Sequence, residues 1–298
     1  MIEIERIKEF LSASGITYRE DVTGAECTTF KTGGPIALFA EPSTKERMCS
    51  VLEYAEKERI PCFLIGNGSN LLIPDEGLDM LFIKPCGELS VFRIKGDTLI
   101  CGAGASLAAA AKYSVYNGFS GLEWASGIPG TVGGAVAMNA GAYGGEISDQ
   151  LDAVTVYADG SLVREKASTS EMGYRRSPYS FPDRVVLEAE FKLAPDDGTA
   201  KSRMDEFSAR RKAKQPLNFP SAGSTFKRPE GYYAGALIEN AGLKGASVGG
   251  ARVSEKHAGF IVNAGGATSD DVKKLIELVQ ETVRSKFGVT LEPEVKIL

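Results

Sequence analysis

The sequence predicts a mixed α+β protein built from two or three subdomains. Segments with apolar residues at helical spacing alternate with short apolar strands along the whole chain. With 298 residues and 43% hydrophobic content, the chain can bury a substantial core and is long for one small domain. The 34 basic and 39 acidic side chains give a net charge of −5. This balance lacks the basic excess of a nucleic-acid-binding surface.

The first third of the chain predicts a helix followed by a strand–helix–strand unit. Residues 1–17 have the apolar spacing of an amphipathic helix, whereas Ile36–Ala40 and Pro61–Ile65 are short apolar strands. Ser43 or Thr44 can cap the helix between these strands. The second strand leads directly into a glycine loop. In the dinucleotide fingerprint the loop instead joins a first strand to its helix, so a nicotinamide-type Rossmann domain is not expected.

The rest of the chain continues the alternation, with a linker at Pro195–Gly198. Strands are predicted at Leu81–Ile83, Leu89–Ile94, Leu99–Cys101, Val154–Tyr157, Val185–Leu193, Ala251–Ser254, Gly259–Asn263 and Val295–Leu298. Helices are predicted at Ser106–Asn117, Thr199–Lys214, Tyr233–Ala241 and Ser269–Lys286.

Two glycine-dense stretches are the strongest functional signal. The first, Gly66–Leu72, is G-N-G-S-N-L-L, and the second, Gly127–Gly145, contains G-I-P-G-T-V-G-G and N-A-G-A-Y-G-G. Glycine lets the backbone approach a ligand closely and permits the positive φ angles that point successive N–H groups at one anion. Tight turns between packed strands would explain one such loop but explain two poorly. The pair indicates a long ligand such as a dinucleotide.

A metal site is not expected. His257 is the only histidine, and the five cysteines are scattered singly without a C-x-x-C pair, as free thiols of a reducing compartment would be. The N-terminus has no basic region followed by an apolar core, and no apolar run reaches membrane-spanning length. The sequence therefore predicts a soluble cytoplasmic protein with no nucleic-acid partner and no membrane insertion.

The combination of motifs resembles the UDP-N-acetylenolpyruvoylglucosamine reductase family over nearly the whole chain. Besides the glycine motifs, the resemblance includes Tyr174-Arg175, A-G-S-T-F-K at 222–227, H-A-G-F-I-V-N at 257–263 and L-E-P-E-V at 291–295. It implies an FAD-binding fold of the vanillyl-alcohol oxidase type, with two α/β subdomains, plus a C-terminal α+β substrate-binding domain. The short tract between Arg175 and Ser224 implies the shorter family type, which lacks an extra tyrosine loop.

The resemblance also implies domain boundaries. We expect FAD-binding subdomain 1 at residues 1–84, FAD-binding subdomain 2 at 85–194 and the substrate-binding domain at 199–292. The C-terminal strand, 293–298, is a candidate to return to the first subdomain.

The implied activity is NADPH-dependent reduction of UDP-N-acetylglucosamine enolpyruvate to UDP-N-acetylmuramate through non-covalently bound FAD. This step belongs to cytoplasmic peptidoglycan precursor synthesis, which serves cell wall biogenesis, cell shape and cell division, and we expect a monomer. The alternatives are an FAD-dependent alcohol or lactone oxidase of the same fold and a non-enzymatic sugar-nucleotide sensor. An oxidase has no use for a proton donor opposite the flavin, so the combination of Ser224, Arg175 and Glu294 favours the reductase.

Three residues match the family's catalytic positions. Ser224 corresponds to the donor that protonates the carbanion left after hydride transfer, although a serine after glycine is also an ordinary turn residue. Arg175 corresponds to the residue that stabilises charge on the substrate carboxylate, which a planar guanidinium suits well, although loop arginines are mostly solvated. Glu294 corresponds to the glutamate that assists proton placement; a surface strand carboxylate is the simpler interpretation.

The resemblance places FAD contacts in the two glycine stretches and at one position outside them: Gly66, Asn67, Gly68, Ser69, Asn70, Leu71, Gly127, Ile128, Pro129, Gly130, Thr131, Gly133, Gly134, Asn139, Gly141 and Ile261. It places substrate contacts at Tyr174, Lys214, Lys227 and Asn240. For Lys214, favourable charge at a helix C-terminus explains a lysine equally well. His257 receives no role.

Overall fold

A computed structural model describes residues 2–298 as a mixed α+β protein. These residues form two compact units, each assembled from separate stretches of chain. The first unit comprises the chain up to Glu20, Leu38–Gly66 and Met80–Arg211, and the second comprises Asp21–Ala37, Asn67–Asp79 and Lys212–Leu298.

The helices of the described residues are distributed over the whole chain. In order they are α1 Ile4–Ala13, α2 Gly24–Cys27, α3 Lys45–Lys57, α4 Leu107–Tyr116, α5 Val132–Ala137, α6 Ile147–Gln150, α7 Ala200–Lys214, α8 Ala234–Asn240 and α9 Ser269–Phe287. Single 3-10 turns lie at Gly87–Ser90, Glu123–Gly127 and Thr169–Glu171.

The strands are mostly short. In order they are β1 Thr17–Arg19, β2 Ile36–Glu41, β3 Cys62–Leu64, β4 Leu71–Leu72, β5 Leu78–Ile83, β6 Phe92–Lys95, β7 Thr98–Gly102, β8 Phe119–Ser120, β9 Gly141–Ala142, β10 Gly145–Glu146, β11 Leu151–Ala158, β12 Ser161–Lys166, β13 Val185–Lys192, β14 Ala194–Pro195, β15 Ser247–Val248, β16 Ala251–Val253, β17 Ile261–Asn263 and β18 Lys296–Ile297.

Two larger sheets organise the first unit. One has the order β12-β11-β13-β7-β6 and is antiparallel throughout. Its inward side chains pack against α4 and α5, with Val154, Phe191 and Trp124 in the shared core. The other sheet has the order β1-β2-β5-β3, in which β3 runs parallel to β5. It packs on α1 and α3 through a second core that includes Leu38 and Met48.

The second unit is built around α9 and a small antiparallel sheet, β15-β16-β17. Buried residues of α8, α9 and the sheet form one core. The carboxylate of Asp75 accepts the backbone N–H groups of Ser269 at 2.8 Å and Asp270 at 2.9 Å, and so caps the start of α9. The last strand, β18, runs parallel to β4 with Lys296 opposite Leu71.

Two predicted elements differ from the structure. The first helix ends at Ala13 because Gly15 adopts φ +64° and the chain turns into β1. The strand predicted from Leu89 begins only at Phe92, since residues 87–90 form a 3-10 turn in which the Leu89 carbonyl accepts the Gly104 N–H at 2.7 Å. The division into three domains with the boundaries given above stays a prediction.

Candidate active site

The two glycine loops meet at Gly66 and Thr131 in the first unit. Gly66 follows β3, which is tied to β5 by the bond from the Ile65 N–H to the Ile83 carbonyl at 2.9 Å. Thr131 precedes α5, and its Oγ1 accepts the Gly134 N–H at 3.4 Å. A Cβ on Gly66 would overlap Thr131 Oγ1, so glycine alone permits this approach. The loops predicted to bind one cofactor are therefore in direct contact.

Packing against protein explains the glycine at position 68. Gly68 has φ +59°, and a Cβ there would overlap the carbonyl oxygen of Cys27. Its own carbonyl accepts the Thr29 N–H at 3.2 Å. The chain then enters β4 at Leu71, where pairing with β18 fixes its direction. The simpler explanation of a tight turn therefore applies to this glycine.

The second loop packs on the segment that begins α4. A Cβ on Gly133 would lie 2.8 Å from the Cβ of Ala103, and the Gly130 carbonyl accepts the Leu107 N–H at 3.1 Å. Of the other predicted positions here, Ile128 packs against the core of the unit and Pro129 is exposed. The loop is thus anchored along one side by protein contacts.

Several backbone donors in the two loops have no acceptor within residues 2–298. These are the N–H groups of Gly68 and Ser69 in the first loop and of Gly130 and Thr131 in the second. The main chain carries strong donors that are nearly always paired, so a run of unpaired N–H groups is suited to an anion. Each set, taken by itself, is suited to a phosphate group.

Asn139 connects the second glycine stretch to the turn that carries Arg175. The residue is 1% exposed and adopts φ +42°. Its Oδ1 accepts the Ser148 N–H at 3.0 Å, and its Nδ2 donates to the Gly173 carbonyl at 3.1 Å. Both ends of the amide are therefore used within the protein. Nearby, Gly141 lies in β9 opposite Glu146 of β10.

Tyr174 and Arg175 occupy the corner of a tight turn. Gly173 and Arg176 exchange both backbone hydrogen bonds at 3.0 Å, which leaves the two residues between them at the apex. Arg175 has φ +54°, a conformation that a non-glycine residue adopts at a cost of order 1 kcal/mol. Its guanidinium lies 5.0 Å from the ring centre of Tyr174, which is 53% exposed. The turn thus presents a planar cation at the surface of the first unit.

Helix α7 places a second cation against the second glycine loop. The helix is held by the Arg203–Glu123 ion pair at 2.6 Å and by stacking of Phe207 on Tyr143 at 4.8 Å. A Cβ on Gly127 would lie 2.9 Å from Cδ of the half-buried Arg211. Burial lowers the pKa of Arg211, which forms no ion pair within residues 2–298. A desolvated guanidinium beside a glycine loop is suited to an anionic ligand.

In the second unit, Thr225 links three of the predicted site residues. The Thr225 side chain is buried, and its Oγ1 accepts the N–H of Ile261 at 2.9 Å. Its carbonyl accepts the N–H of Glu294 at 2.8 Å, and its own N–H donates to Gly259 at 2.8 Å. Because Ser224 is the preceding residue, this network fixes Ser224 beside the backbone of Glu294.

The candidate proton donor is accessible. Ser224 is exposed and follows Gly223, which has φ +80°. Within the described residues its hydroxyl forms no hydrogen bond. Glu294 is half-buried, and its carbonyl accepts the Asn70 Nδ2 at 3.0 Å. This bond joins the end of the first glycine loop to the segment, just before β18, that carries the Glu294 carboxylate.

The predicted substrate contacts of the second unit lie apart in the chain; Lys214 and Asn240 are exposed, and Lys227 is partly exposed. Lys227 pairs with Glu292 at 3.1 Å, Lys214 ends α7 and Asn240 ends α8. His257 is half-buried, and its Nδ1 accepts the Gly259 N–H at 3.1 Å. Burial lowers the pKa of His257, and the positive charges of the nearby Lys244 and Lys214 lower it further. A neutral ring with a proton on Nε2 follows.

Comparison with known proteins identifies the family. A family model described as "UDP-N-acetylenolpyruvoylglucosamine reductase, C-terminal domain" matches residues 215–298, and one described as "FAD binding domain" matches residues 36–165. A UDP-N-acetylenolpyruvoylglucosamine reductase from Caldanaerobacter subterraneus subsp. tengcongensis is 44% identical, and the alignment covers 100% of this chain and 98% of the relative. The chain belongs to the UDP-N-acetylenolpyruvoylglucosamine reductase family.

Further members of this reductase family agree in sequence and in fold. The reductase of Agathobacter rectalis is 50% identical over 91% of this chain and 90% of its own length. The crystal structure of the Thermus caldophilus reductase superposes with a TM-score of 0.82 at 36% identity, covering 95% of this chain and 99% of that one. The predicted α+β class with an FAD-binding domain is confirmed.

The two family models divide the candidate residues. The FAD binding domain includes Gly66–Leu71 and Gly127–Gly134, whereas the reductase C-terminal domain includes Ser224 and Glu294. No helix of residues 2–298 is both long and apolar enough to cross a membrane. In the same residues, no three His, Cys, Asp or Glu side chains lie together as a metal ion would require.

Sequence reasoning did not single out Thr225 or Arg211 as site residues, and it named Asn139 without predicting what that side chain contacts. Thr225 looks like an ordinary strand residue, and only its burial between two turns shows its role. Arg211 contacts Gly127, but several other cations lie in the same helix, and the sequence does not indicate which of them faces the loop. For Asn139, the partner lies 34 residues away, and no local signal indicates that contact.

Proposed function

We propose that this protein catalyses the NADPH-dependent reduction of UDP-N-acetylglucosamine enolpyruvate to UDP-N-acetylmuramate in peptidoglycan precursor synthesis. Membership of the reductase family supports the reaction. The observation that carries the catalytic assignment is the bond from the Glu294 N–H to the Thr225 carbonyl, which holds Ser224, with its free hydroxyl, beside the segment that carries the Glu294 carboxylate. An alcohol or lactone oxidase would have no use for that pair, and no observation favours one.

Bound FAD supplies the hydride chemistry, from NADPH to the β-carbon of the enolpyruvyl group. The protein's part is to bind, orient and protonate. The unpaired N–H groups of Gly130 and Thr131 would hold a phosphate of FAD, and those of Gly68 and Ser69 in the second unit are likewise suited to a phosphate. The positive charge of Arg211 would neutralise an anionic group beside Gly127. The other positions predicted for FAD in the two loops stay predictions.

Ser224 would donate its hydroxyl proton to the α-carbon of the substrate. Hydride addition at the β-carbon leaves a carbanion that is stabilised by the adjacent carboxylate and is strongly basic. A weak acid can protonate such a centre, and water can return a proton to the serine oxygen. The exposed position of Ser224, with no competing hydrogen bond from residues 2–298, supports this role. Glu294 would assist the placement of that proton.

Arg175 would stabilise the charge that develops on the substrate carboxylate. Arg175 lies at the apex of a tight turn with its guanidinium beside the Tyr174 ring, and Asn139 anchors the base of the turn through the Gly173 carbonyl. A fixed, permanently charged, planar donor is well matched to a carboxylate. The backbone strain at Arg175 is consistent with a functional position.

Substrate binding by Tyr174, Lys214, Lys227 and Asn240 is part of the proposal. Lys227 is ion-paired with Glu292, and both side chains are exposed, so the pair is weak enough to exchange for a diphosphate. We further propose a cytoplasmic monomer that contributes to cell wall biogenesis, cell shape and cell division. NADPH and UDP-linked sugars are both produced in the cytoplasm, which supports that location.

Anaerobic mixing in two steps tests the function. The purified protein should be yellow, and NADPH should bleach the visible absorbance of the oxidised flavin. Addition of UDP-N-acetylglucosamine enolpyruvate should then restore the absorbance and yield one equivalent of UDP-N-acetylmuramate. A flavin that NADPH reduces but only oxygen reoxidises would refute the assigned substrate. Protein that takes up no FAD would refute the proposal altogether.

A further inference from the structure

An aromatic ring and a guanidinium lie exposed together at the start of α8. Tyr233 is 64% exposed, and the Arg228 Cζ lies 4.2 Å from the centre of its ring. This distance is well within the range of a cation–π contact. One face of the ring is thus covered by a cation, and the large exposure shows that solvent reaches the rest of the ring. Neither residue belongs to the site described above.

The backbone holds this pair in a defined position. The Tyr232 N–H donates to the Pro229 carbonyl at 3.1 Å, across a turn in which Gly231 has φ +73°. Tyr233 then caps α8, and its carbonyl accepts the Leu237 N–H at 3.1 Å. The helix itself is anchored because Leu237 is buried in the core of the second unit. A tyrosine fixed at a helix end loses little further freedom when a ligand stacks on it.

A ring with a guanidinium on one side suits a nucleotide. Nucleobases stack on exposed aromatic side chains, and arginine adds a cation–π contribution as well as a donor set for phosphate. The pair also lies near the proposed proton donor in the chain, since Arg228 follows Ser224 by four residues, which span at most about 14 Å. A nucleobase must sit some distance from the reacting carbon of its own molecule.

We infer that Tyr233, with Arg228 on its ring, stacks the nucleobase of one of the two nucleotide substrates. This inference rests on the proposed function, in which both substrates are nucleotides. The base is either the uracil of the UDP-sugar or the adenine of NADPH, and the chemistry that recognises them is shared. Tyr233 is in this view an affinity determinant, with no part in hydride or proton transfer.

Calorimetric titration of UDP and of NADP⁺ into the FAD-loaded protein separates the two sources. Tyr233→Ala should weaken the binding of at least one nucleotide about tenfold, the effect expected for one lost base stack. Tyr233→Phe keeps the ring and should bind as the wild type does. Tyr232→Ala is the matched control, because Tyr232 is also exposed, at 49%, but no cation of residues 2–298 lies over its ring. Circular dichroism would verify that α8 is retained in each variant.

Selective weakening of UDP would assign the uracil, and selective weakening of NADP⁺ would assign the adenine. Unchanged affinity for both nucleotides in Tyr233→Ala, or an equal loss in Tyr232→Ala, would overturn the inference. Failure of the proposed function gives a different result, because the wild-type protein would then not turn over NADPH and the enolpyruvyl sugar at all.

Discussion

A Cβ added to Gly66 would overlap Thr131 Oγ1, so this glycine allows the two glycine loops to touch. The same oxygen accepts the Gly134 N–H at 3.4 Å and so begins α5. One threonine therefore caps a helix and contacts the neighbouring loop. The arrangement explains why Gly66, the first residue of one glycine motif, and Thr131, in the other motif, lie together in the first unit although they are distant in the chain.

Gly66→Ala should destabilise the protein by about 1–3 kcal/mol and weaken FAD retention, because the new methyl group must displace Thr131. Urea unfolding and flavin release would measure the two effects. Thr131→Ala alone should cost about 1 kcal/mol through loss of the cap. The double variant should recover part of the loss, since the clashing oxygen is gone; strictly additive losses would contradict the contact.

Replacing Thr225 with valine should remove the hydroxyl that accepts the Ile261 N–H in the buried network. The shape is kept, but a buried N–H loses its partner, at a cost of about 1–3 kcal/mol in the free energy of unfolding. Because the network fixes Ser224 beside Glu294, kcat should fall as well. Thr225→Ser is the control and should retain most of the stability. Equal behaviour of the valine and serine variants would mean that the hydroxyl is unimportant.

Asn139→Gly tests whether this residue positions the Arg175 turn. Glycine tolerates the positive φ at position 139 but removes both side-chain hydrogen bonds. Reoxidation of the flavin by the enolpyruvyl substrate should slow about tenfold, an effect that corresponds to the loss of roughly one hydrogen bond's worth of positioning. Reduction by NADPH should change little. If rapid-mixing experiments show both steps unchanged, the anchor has no functional role.

Stability should depend on His257 at mildly acidic pH. Burial lowers the pKa of this histidine in the folded protein below its ordinary value of 6.5. As the pH falls through that value, the unfolded chain binds the proton first, so the free energy of unfolding decreases. His257→Gln should lose this part of the pH dependence below about pH 6.5 and run parallel to the wild type above it. Parallel curves throughout the range would contradict the burial effect.

Local signals in the sequence were enough for most of the fold. Thr44 caps α3 as predicted, accepting the Arg47 N–H at 3.2 Å, and Ser106 caps α4 in the same way. Caps and apolar spacing act over a few residues, so they can be seen in one sequence. The end of the first helix at Ala13, shortly before Gly15, could not be predicted, because an isolated glycine can also lie within a helix.

The candidate site was less predictable because its contacts join distant parts of the chain. The sequence pattern suggests ligand access as the reason for the glycine at 68. In the structure, a Cβ at this position would also overlap the carbonyl oxygen of Cys27. Nothing near Asn70 in the sequence indicates that its amide donates to Glu294, 224 residues away. The family resemblance supplied the candidate residues, and the three-dimensional contacts supply the reason for their positions.

The most direct test is rapid anaerobic mixing of the Ser224→Ala variant, in which the two half-reactions are measured separately. NADPH should reduce the flavin at nearly the wild-type rate, because Ser224 takes no part in that step. Reoxidation by UDP-N-acetylglucosamine enolpyruvate should slow by at least about 10²-fold, the lower range for loss of a general acid. Equal slowing of both half-reactions, or normal reoxidation, would contradict the assignment of Ser224 as the proton donor.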